Sequence, residues 1–456
     1  MSLPRLLMAG VVVLSTGVLL PRSCSEHVQP DVFLLLVDTL RADHLGVYGY
    51  ERPTSPELDR FASSALVFRN VFAPASWTLP SVGSLMTSTY PSLHGLRAKA
   101  GAQSITQLRP GLTTLTEAFR AAGYRTAAVV TNPWMVRRHG LQRGFDQYHL
   151  TRGPAPAARV HEIARELVDL DDPRPLFLYL HYMDVHPPYA RSSGPEEDPL
   201  GPVPERLRRP LEAAELQVMP RQPPELRTLE DWVRAYDRGI RAWDRAFGEW
   251  VAWLEARGGF EDQIVAVVSD HGVEIADHGR WGHGHALYQE QLGVPWILKV
   301  PGHPGGVVHD EPVSLIDVAP TLLSAAGLAP VDGMMGRDVL GGPPAPDRAL
   351  LAETDLGSTQ DDPAPATHRA LRRGGVKLVV GGEKEVCFDL VSDPFERDPL
   401  RSSRGACGDA PELEAWAERL RRLGDSLGAA DEVELGPAER EQLRRLGYVE
   451  EAPAQR

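Results

Sequence analysis

The chain has 456 residues, a formal net charge of −14, 42 glycines, 40 prolines and three cysteines. That length supports one large core domain plus a smaller unit. The acidic balance argues against non-specific nucleic-acid binding, so no nucleic-acid partner is expected. The glycines and prolines fall in no internal repeat and indicate many long loops.

The first element is a targeting segment. Arg5 precedes an apolar run, Leu6 to Leu20, broken only by Gly10, Ser15, Thr16 and Gly17. The run is too short for a transmembrane helix and suits a signal-peptide core. Cys24 is a candidate lipidation site, although Pro21 stands where a lipoprotein signal wants an aliphatic residue. A signal peptide, a lipid anchor or a short uncleaved anchor over residues 1–25 all place the protein outside the cytoplasm. The destinations are periplasmic, envelope-anchored (with membrane anchoring through the N-terminus) or extracellular.

A catalytic domain is expected over 30–340. Its first strand, about 31–38, runs Val-Phe-Leu-Leu-Leu-Val into Asp38. A carboxylate there needs compensation, because burying an unpaired charge is expensive. Thr54-Ser-Pro-Glu57 reads as a capping box opening a helix around 54–65. Next, Pro80 suits the first turn of a helix over about 80–88, which puts Thr78 just before a helix N-terminus. Free N–H groups and the dipole favour an anion there. A hydroxyl in that place, beside a metal, can serve as a nucleophile; a plain threonine cap is the simpler use.

Further strands are expected near 125–130, 176–181, 263–269 and 295–300. Residues 190–226 are Pro-rich and charged and read as an irregular excursion over one face. From 229 to 256, Trp232, Tyr236, Ile240, Trp243, Phe247, Trp250, Val251 and Leu254 recur at helical spacing, a core-packing stripe. The strand Ile264–Val268 then ends in Ser269-Asp270-His271-Gly272. Ligands collect at the carboxyl ends of strands in open α/β sheets. Asp270 and His271, with Asp38 from the first strand, therefore read as ligands of a divalent metal. A strand-end turn with a helix cap is the bland alternative. Residues 341–366 read as a linker, and 367–456 as a C-terminal subdomain with strands near 368–381 and 385–390. A helix near 411–427 and Glu439–Leu446 close the chain. An exported protein permits a Cys387–Cys407 disulfide; two free thiols are equally consistent.

From about residue 31 onward the chain resembles the sulfatase branch of the alkaline-phosphatase superfamily. The resemblance rests on seven motifs in the family's order. They are Val37–Gly46, Thr78-Leu-Pro-Ser81, His181–Tyr189, Ser269–Gly272, Trp281-Gly-His-Gly284, Ile316–Leu323 and Phe388–Pro394. It implies an α/β fold, an α/β/α sandwich around a large mixed sheet with a small C-terminal α+β subdomain. It also implies Asp38, Asp270 and His271 as ligands of one metal (Mn²⁺, Zn²⁺ or Ca²⁺), with Thr78 as further ligand and nucleophile. His186 would assist the leaving group, and His283 falls where many sulfatases grip the sulfate with a lysine. Asp184, His186, His283 and His285 lie in the segments where two-metal relatives place second-site ligands, and Asp184 and His285 are expected as substrate contacts.

The departures from the family pattern carry information too. Sulfatases use a formylglycine made within Cys/Ser-x-Pro-Ser-Arg. Here Thr78 holds the first position and Val82 the last. The β-methyl of threonine allows at most a ketone, so formylglycine is not expected and Thr78 acts unmodified. Asn132 replaces the usual cationic grip on sulfate and is a candidate substrate contact. Threonine nucleophiles occur in phosphodiesterases and envelope transferases elsewhere in the superfamily. The reading is a sulfatase-family hydrolase of sulfate or phosphate esters, its substrate an anionic ester of a glycan, lipid or small molecule. A phosphodiesterase or phospho-alcohol transferase with a phosphothreonine intermediate is the alternative. A non-catalytic binder of anionic glycans or lipids is the alternative from another class.

Overall fold

The computed structural model of the chain describes residues 29–99, 104–151, 153–168, 171–189, 200–212, 215, 226–342, 344–356, 367–381, 384–400 and 410–446. The targeting segment, Cys24, most of the 190–226 excursion and Cys407 lie outside the described residues. No helix among the described residues is long and apolar enough to cross a membrane.

Val32–Val37 is buried at every position and forms the centre of the main sheet. It pairs in parallel with Ile264–Val268 on one side and Leu176–Tyr182 on the other. Such all-apolar runs are what a strand covered on both faces requires. Arg125–Val130 and Gln147–Leu150 extend the sheet beyond Leu176–Tyr182. On the other side Gly293–Lys299 runs antiparallel between Ile264–Val268 and Leu66–Phe72, making the sheet mixed.

Side-chain alternation along the central strand feeds two cores. Val32, Leu34 and Leu36 enter a cluster with the helices Thr78–Thr87, Leu115–Ala121 and Val318–Ala325. Phe33, Leu35 and Val37 enter another with Pro56–Ala62, Ala157–Val168 and Leu229–Arg257. The result is the expected α/β/α sandwich. The aromatic stripe of Leu229–Arg257 is core packing: all eight of its members are buried.

Four expectations need correction. The Thr54 capping box does not form; Thr54 Oγ1 donates to the His44 carbonyl. Asp244, from the long helix, instead accepts from Glu57 N (3.1 Å) and Leu58 N (2.8 Å), capping that helix from a distance. The supposed linker 341–366 contains the strand Ala349–Thr354, which opens the antiparallel sheet continued by His368–Arg373, Val376–Gly381 and Lys384–Asp389. Leu351 of that strand packs in one cluster with Leu413 and Leu420 of Ala410–Ser426, so the strand is structural. The chain end is not confined to that subdomain either. Glu432–Glu434 pairs with Ser104–Thr106, and Leu435, Leu443 and Leu446 enter the main core. Finally, Cys387 is disulfide-bonded, so it is not a free thiol.

Candidate active site

The site assembles where the central strand and its neighbour end. Asp38 follows Val37, and its N–H donates to the Tyr182 carbonyl (3.0 Å). The chain then turns sharply: Thr39 has φ 61°, a left-handed conformation uncommon for a threonine. Its hydroxyl donates to the Asp38 carbonyl (2.6 Å), and Tyr236 Oη holds its own carbonyl (2.7 Å). After the adjacent strand, Ser269 Oγ accepts from Leu40 N (3.0 Å) and donates to the His271 carbonyl (2.8 Å), tying the two strand ends together. Gly272 is required by close approach, because a Cβ there would collide with the Glu290 carbonyl.

The third component comes from the opposite layer. The helix begins at Thr78 itself rather than two residues later. Ser81 Oγ donates to the Asp270 carbonyl (2.6 Å), docking the helix start onto the strand end. Thr78 Oγ1 lies 3.3 Å from Asp38 Oδ2 and 3.3 Å from His271 Nε2. Val82 is buried in the apolar cluster with Leu79 and Leu85, an environment that would not accommodate an unpaired arginine.

Asp38, Asp270 and His271 form a group whose ligand atoms all lie within 4.8 Å of one another. Asp38 Oδ1 and Asp270 Oδ2 are buried without hydrogen-bond partners among the described residues. His271 Nε2 lies 3.6 Å from the first and 3.5 Å from the second. His271 Nδ1 donates to the Gly272 carbonyl (2.8 Å), which leaves the Nε2 lone pair facing the carboxylates. Burial, and then the charge of Asp270, pushes the Asp38 carboxyl up to about 8. Burial likewise raises Asp270 to about 7 and depresses His271.

His186 and His283 are also brought to this place. Their Nε2 atoms are 3.2 Å apart, and the His283 ring centroid is 4.4 Å from that of His271. His186 Nδ1 faces the Pro187 carbonyl, so its Nε2 is the acceptor and His283 Nε2 the donor. Burial, then the neighbouring His271, His186 and His285, depresses His283 well below the usual imidazole range. The loop is pinned from both sides: Gly284 N donates to Gln291 Oε1 (3.1 Å) and Thr354 Oγ1 donates to the Gly284 carbonyl (2.7 Å). Gly284 has φ +85°, and a Cβ there would press on Leu356.

The three expected substrate contacts each hydrogen-bond within the protein. Asn132 Nδ2 donates to Asp38 Oδ2 (2.6 Å) and to Thr78 Oγ1 (3.3 Å), while its Oδ1 accepts from Trp134 N (2.9 Å). It braces Thr78 and Asp38. Asp184 accepts from Ala157 N (3.0 Å) at the start of the helix Ala157–Val168. His285 Nε2 bonds Glu274 Oε2 (2.8 Å). Two participants were not singled out from the sequence. Thr354 pairs across the fold and carries no local signal. His181, buried with its Nε2 3.7 Å from Asp38 Oδ2, lies inside a recognised motif at the end of a buried strand, which was the available hint.

The Sulfatase family model matches residues 30–328. The chain belongs to the sulfatase family. It is thus a sulfatase-like ester hydrolase. The ulvan-active sulfatase of Formosa agariphila is 24% identical over 448 residues, covering 89% of this chain and 84% of that protein. The low-salt glycan biosynthesis sulfotransferase of Haloferax volcanii is 25% identical over 456 residues, covering 92% and 96%. A phosphonate monoester hydrolase from Silicibacter pomeroyi shares the fold, with a TM-score of 0.66 and 21% identity over 88% of this chain and 96% of that one.

Proposed function

We propose that this sulfatase-family protein cleaves anionic sulfate or phosphate esters with a divalent metal ion, using unmodified Thr78 as nucleophile. One observation carries the reading. Thr78 Oγ1 sits 3.3 Å from both Asp38 and His271, at a helix start, beside two buried carboxylate oxygens that lack partners among the described residues. Unsatisfied buried carboxylates are costly, and a cation is what satisfies them. Asp38, Asp270 and His271 fit such an ion, with Thr78 as a further ligand. Their mixed oxygen and nitrogen donors suit Mn²⁺ or Zn²⁺ somewhat better than Ca²⁺. The chemistry the ion supplies is a lowered hydroxyl pKa and a neutralised ester oxygen.

The protein's own groups do the rest. Thr78 Oγ attacks in line, the ester's alkoxide leaves, and the transferred group becomes bonded to threonine. Asn132 aims the hydroxyl. The His186–His283 pair takes up the hydroxyl proton and returns it to the leaving oxygen. Water then releases the group. A sulfothreonine has no easy exit except attack at sulfur, so a phosphate ester is the favoured substrate. Release to an alcohol acceptor in place of water is a second reading, favoured by the sulfotransferase name of a relative that spans 92% of this chain. Export, read from the N-terminal segment, belongs to the same proposal.

The test is turnover of nitrophenyl sulfate, phosphate monoester and phosphate diester with Ca²⁺, Mn²⁺ or Zn²⁺, beside Thr78→Ala. The variant is expected to lose about a thousandfold or more in kcat. Equal turnover in the variant, or an oxidised residue 78 by peptide mass spectrometry, overturns the reading. Rates that rise with added alcohols mark the transferase. Tight anion binding with no turnover in any metal marks a binding protein.

A further inference from the structure

His181 is fully buried, yet neither of its ring nitrogens hydrogen-bonds any described residue. Its Nε2 lies 3.7 Å from Asp38 Oδ2, beyond hydrogen-bonding range. Its backbone is well held: the strand pairs Leu36 with His181, and Thr131 Oγ1 donates to the His181 carbonyl (3.1 Å). Two residues earlier on the same strand face, Tyr179 Oη is also buried without a partner among the described residues. A buried imidazole with both nitrogens idle costs stability, and such groups in native proteins call for an explanation.

The candidate ligand group comprises Asp38, Asp270 and His271, without His181. Asp38 separates the two sides. Its Oδ1 faces His271 (3.6 Å), and its Oδ2 faces Asn132, Thr78 and His181 at 2.6, 3.3 and 3.7 Å. His181 is therefore on the nucleophile's side. Asn132 has both amide hydrogens engaged there, so it has none left for a substrate oxygen.

We infer that His181 donates its N–H to a non-bridging oxygen of the ester bound at Thr78, and that the pocket selects esters carrying one negative charge. The inference rests on the Thr78 reading above. Two carboxylates balance one divalent ion, and the flanking Asn132, Thr78 and His181 are neutral donors. A singly charged phosphate diester or sulfate monoester is matched by such a set. A doubly charged phosphate monoester leaves one charge uncompensated in a buried site, which is expensive.

The experiment uses the full chain loaded with Mn²⁺, the three nitrophenyl esters, and His181→Phe beside His181→Gln. Wild type is expected to favour a singly charged ester over the phosphate monoester. His181→Phe is expected to lower kcat/KM for the favoured ester about tenfold or more, and His181→Gln, which keeps a donor, to recover part of it. Mn²⁺ affinity by calorimetry should stay within about twofold, since a neutral group outside the ligand set is changed. Unchanged kcat/KM in His181→Phe, Mn²⁺ affinity falling in step with rate, or a wild-type preference for the phosphate monoester each overturns the inference. Failure of the Thr78 reading shows separately, as full activity in Thr78→Ala. Should His181→Phe not fold, the ¹⁵N resonances of the His181 ring in wild type decide: they shift on adding methyl sulfate, a singly charged ester, if the ring meets the anion, and the absence of a shift overturns the contact.

Discussion

Asp237 and Asp270 are both fully buried, and they are partnered in opposite ways. Asp237, on the long helix, meets His44 Nδ1 through Oδ1 (2.7 Å) and accepts from Tyr50 Oη through Oδ2 (2.9 Å), where the Arg52 guanidinium also pairs with it. Asp270 has one oxygen on the His271 N–H (3.0 Å) and the other without a partner among the described residues. Both carboxylates sit among aromatic and aliphatic side chains, so burial alone does not separate structure from function. Unspent bonding capacity does. The Asp237 cluster fastens the loop 44–52 to the long helix and is complete as it stands. The Asp270 cluster keeps a buried carboxylate oxygen without a partner among the described residues, and the Thr78 hydroxyl lies 3.3 Å from Asp38 and from His271 in the same cluster.

The sharpest way to break this comparison is to remove each acid. Asp237→Ala strands a buried guanidinium, and is expected to cost about 3–5 kcal/mol of folding stability in denaturant titrations. A change below about 1 kcal/mol would mean the cluster is solvated and the contrast false. Asp270→Asn should do the reverse. Removing an uncompensated charge leaves the chelated protein as stable as wild type or more so, while the rise in Tm on adding Mn²⁺ disappears. A chelated variant that melts well below wild type would show that Asp270 has a structural partner.

The pH dependence sharpens the same point. Asp38 and Asp270 bind protons up to about pH 8 and about pH 7 in the folded chain, against an ordinary carboxylate range near 4 in the unfolded one. Their folded-state values are raised, so the folded chain holds more protons than the unfolded chain between those limits. Their contribution to stability is therefore present below about pH 4 and is lost as pH rises towards 8. Thermal melts with chelator should show Tm falling over the upper part of this window. The gap between Mn²⁺-loaded and chelated Tm should widen across it, with protons released on metal uptake. A gap that narrows with rising pH contradicts the assignment of these two acids as ligands. The smallest expected effect is at Thr354. Thr354→Val removes the donor to the Gly284 carbonyl, at a cost of about 1 kcal/mol. It should lower kcat several-fold through the His283 loop with KM nearly unchanged, and unaltered steady-state kinetics would show that this anchor does not position His283.

Some of this was legible because it is local. The apolar strands Val32–Val37 and Ile264–Val268 announce buried parallel pairing, and the ligand-type residues follow them directly in sequence. Pro80 marks the helix Thr78–Thr87, and the aromatic stripe of Leu229–Arg257 has one period and one interpretation. Other elements were hidden. Leu66–Phe72 has polar Arg69 and Asn70 in its middle, where one side of the strand nears solvent. Ala349–Thr354 lies in a Pro- and Asp-rich stretch and acquires its strand character from pairing with His368–Arg373. The capping of Pro56–Ala62 by Asp244 spans nearly 190 positions of chain, so no local motif encodes it.

The sequence by itself determined the layer architecture, the acid-ended strands and the threonine at a helix start, because hydrophobic period, proline geometry and strand-end chemistry act over a few residues. Only the tertiary structure decided which polar groups are already spent. Asn132, Asp184 and His285 read as substrate contacts, and the fold gives each of them hydrogen-bond partners inside the protein. His181 reads only as the first residue of a motif, and packing leaves it buried near Asp38 without a hydrogen-bond partner for its ring among the described residues. Hydrogen-bond satisfaction is a property of the folded environment, and it is what distinguishes a structural polar group from a functional one.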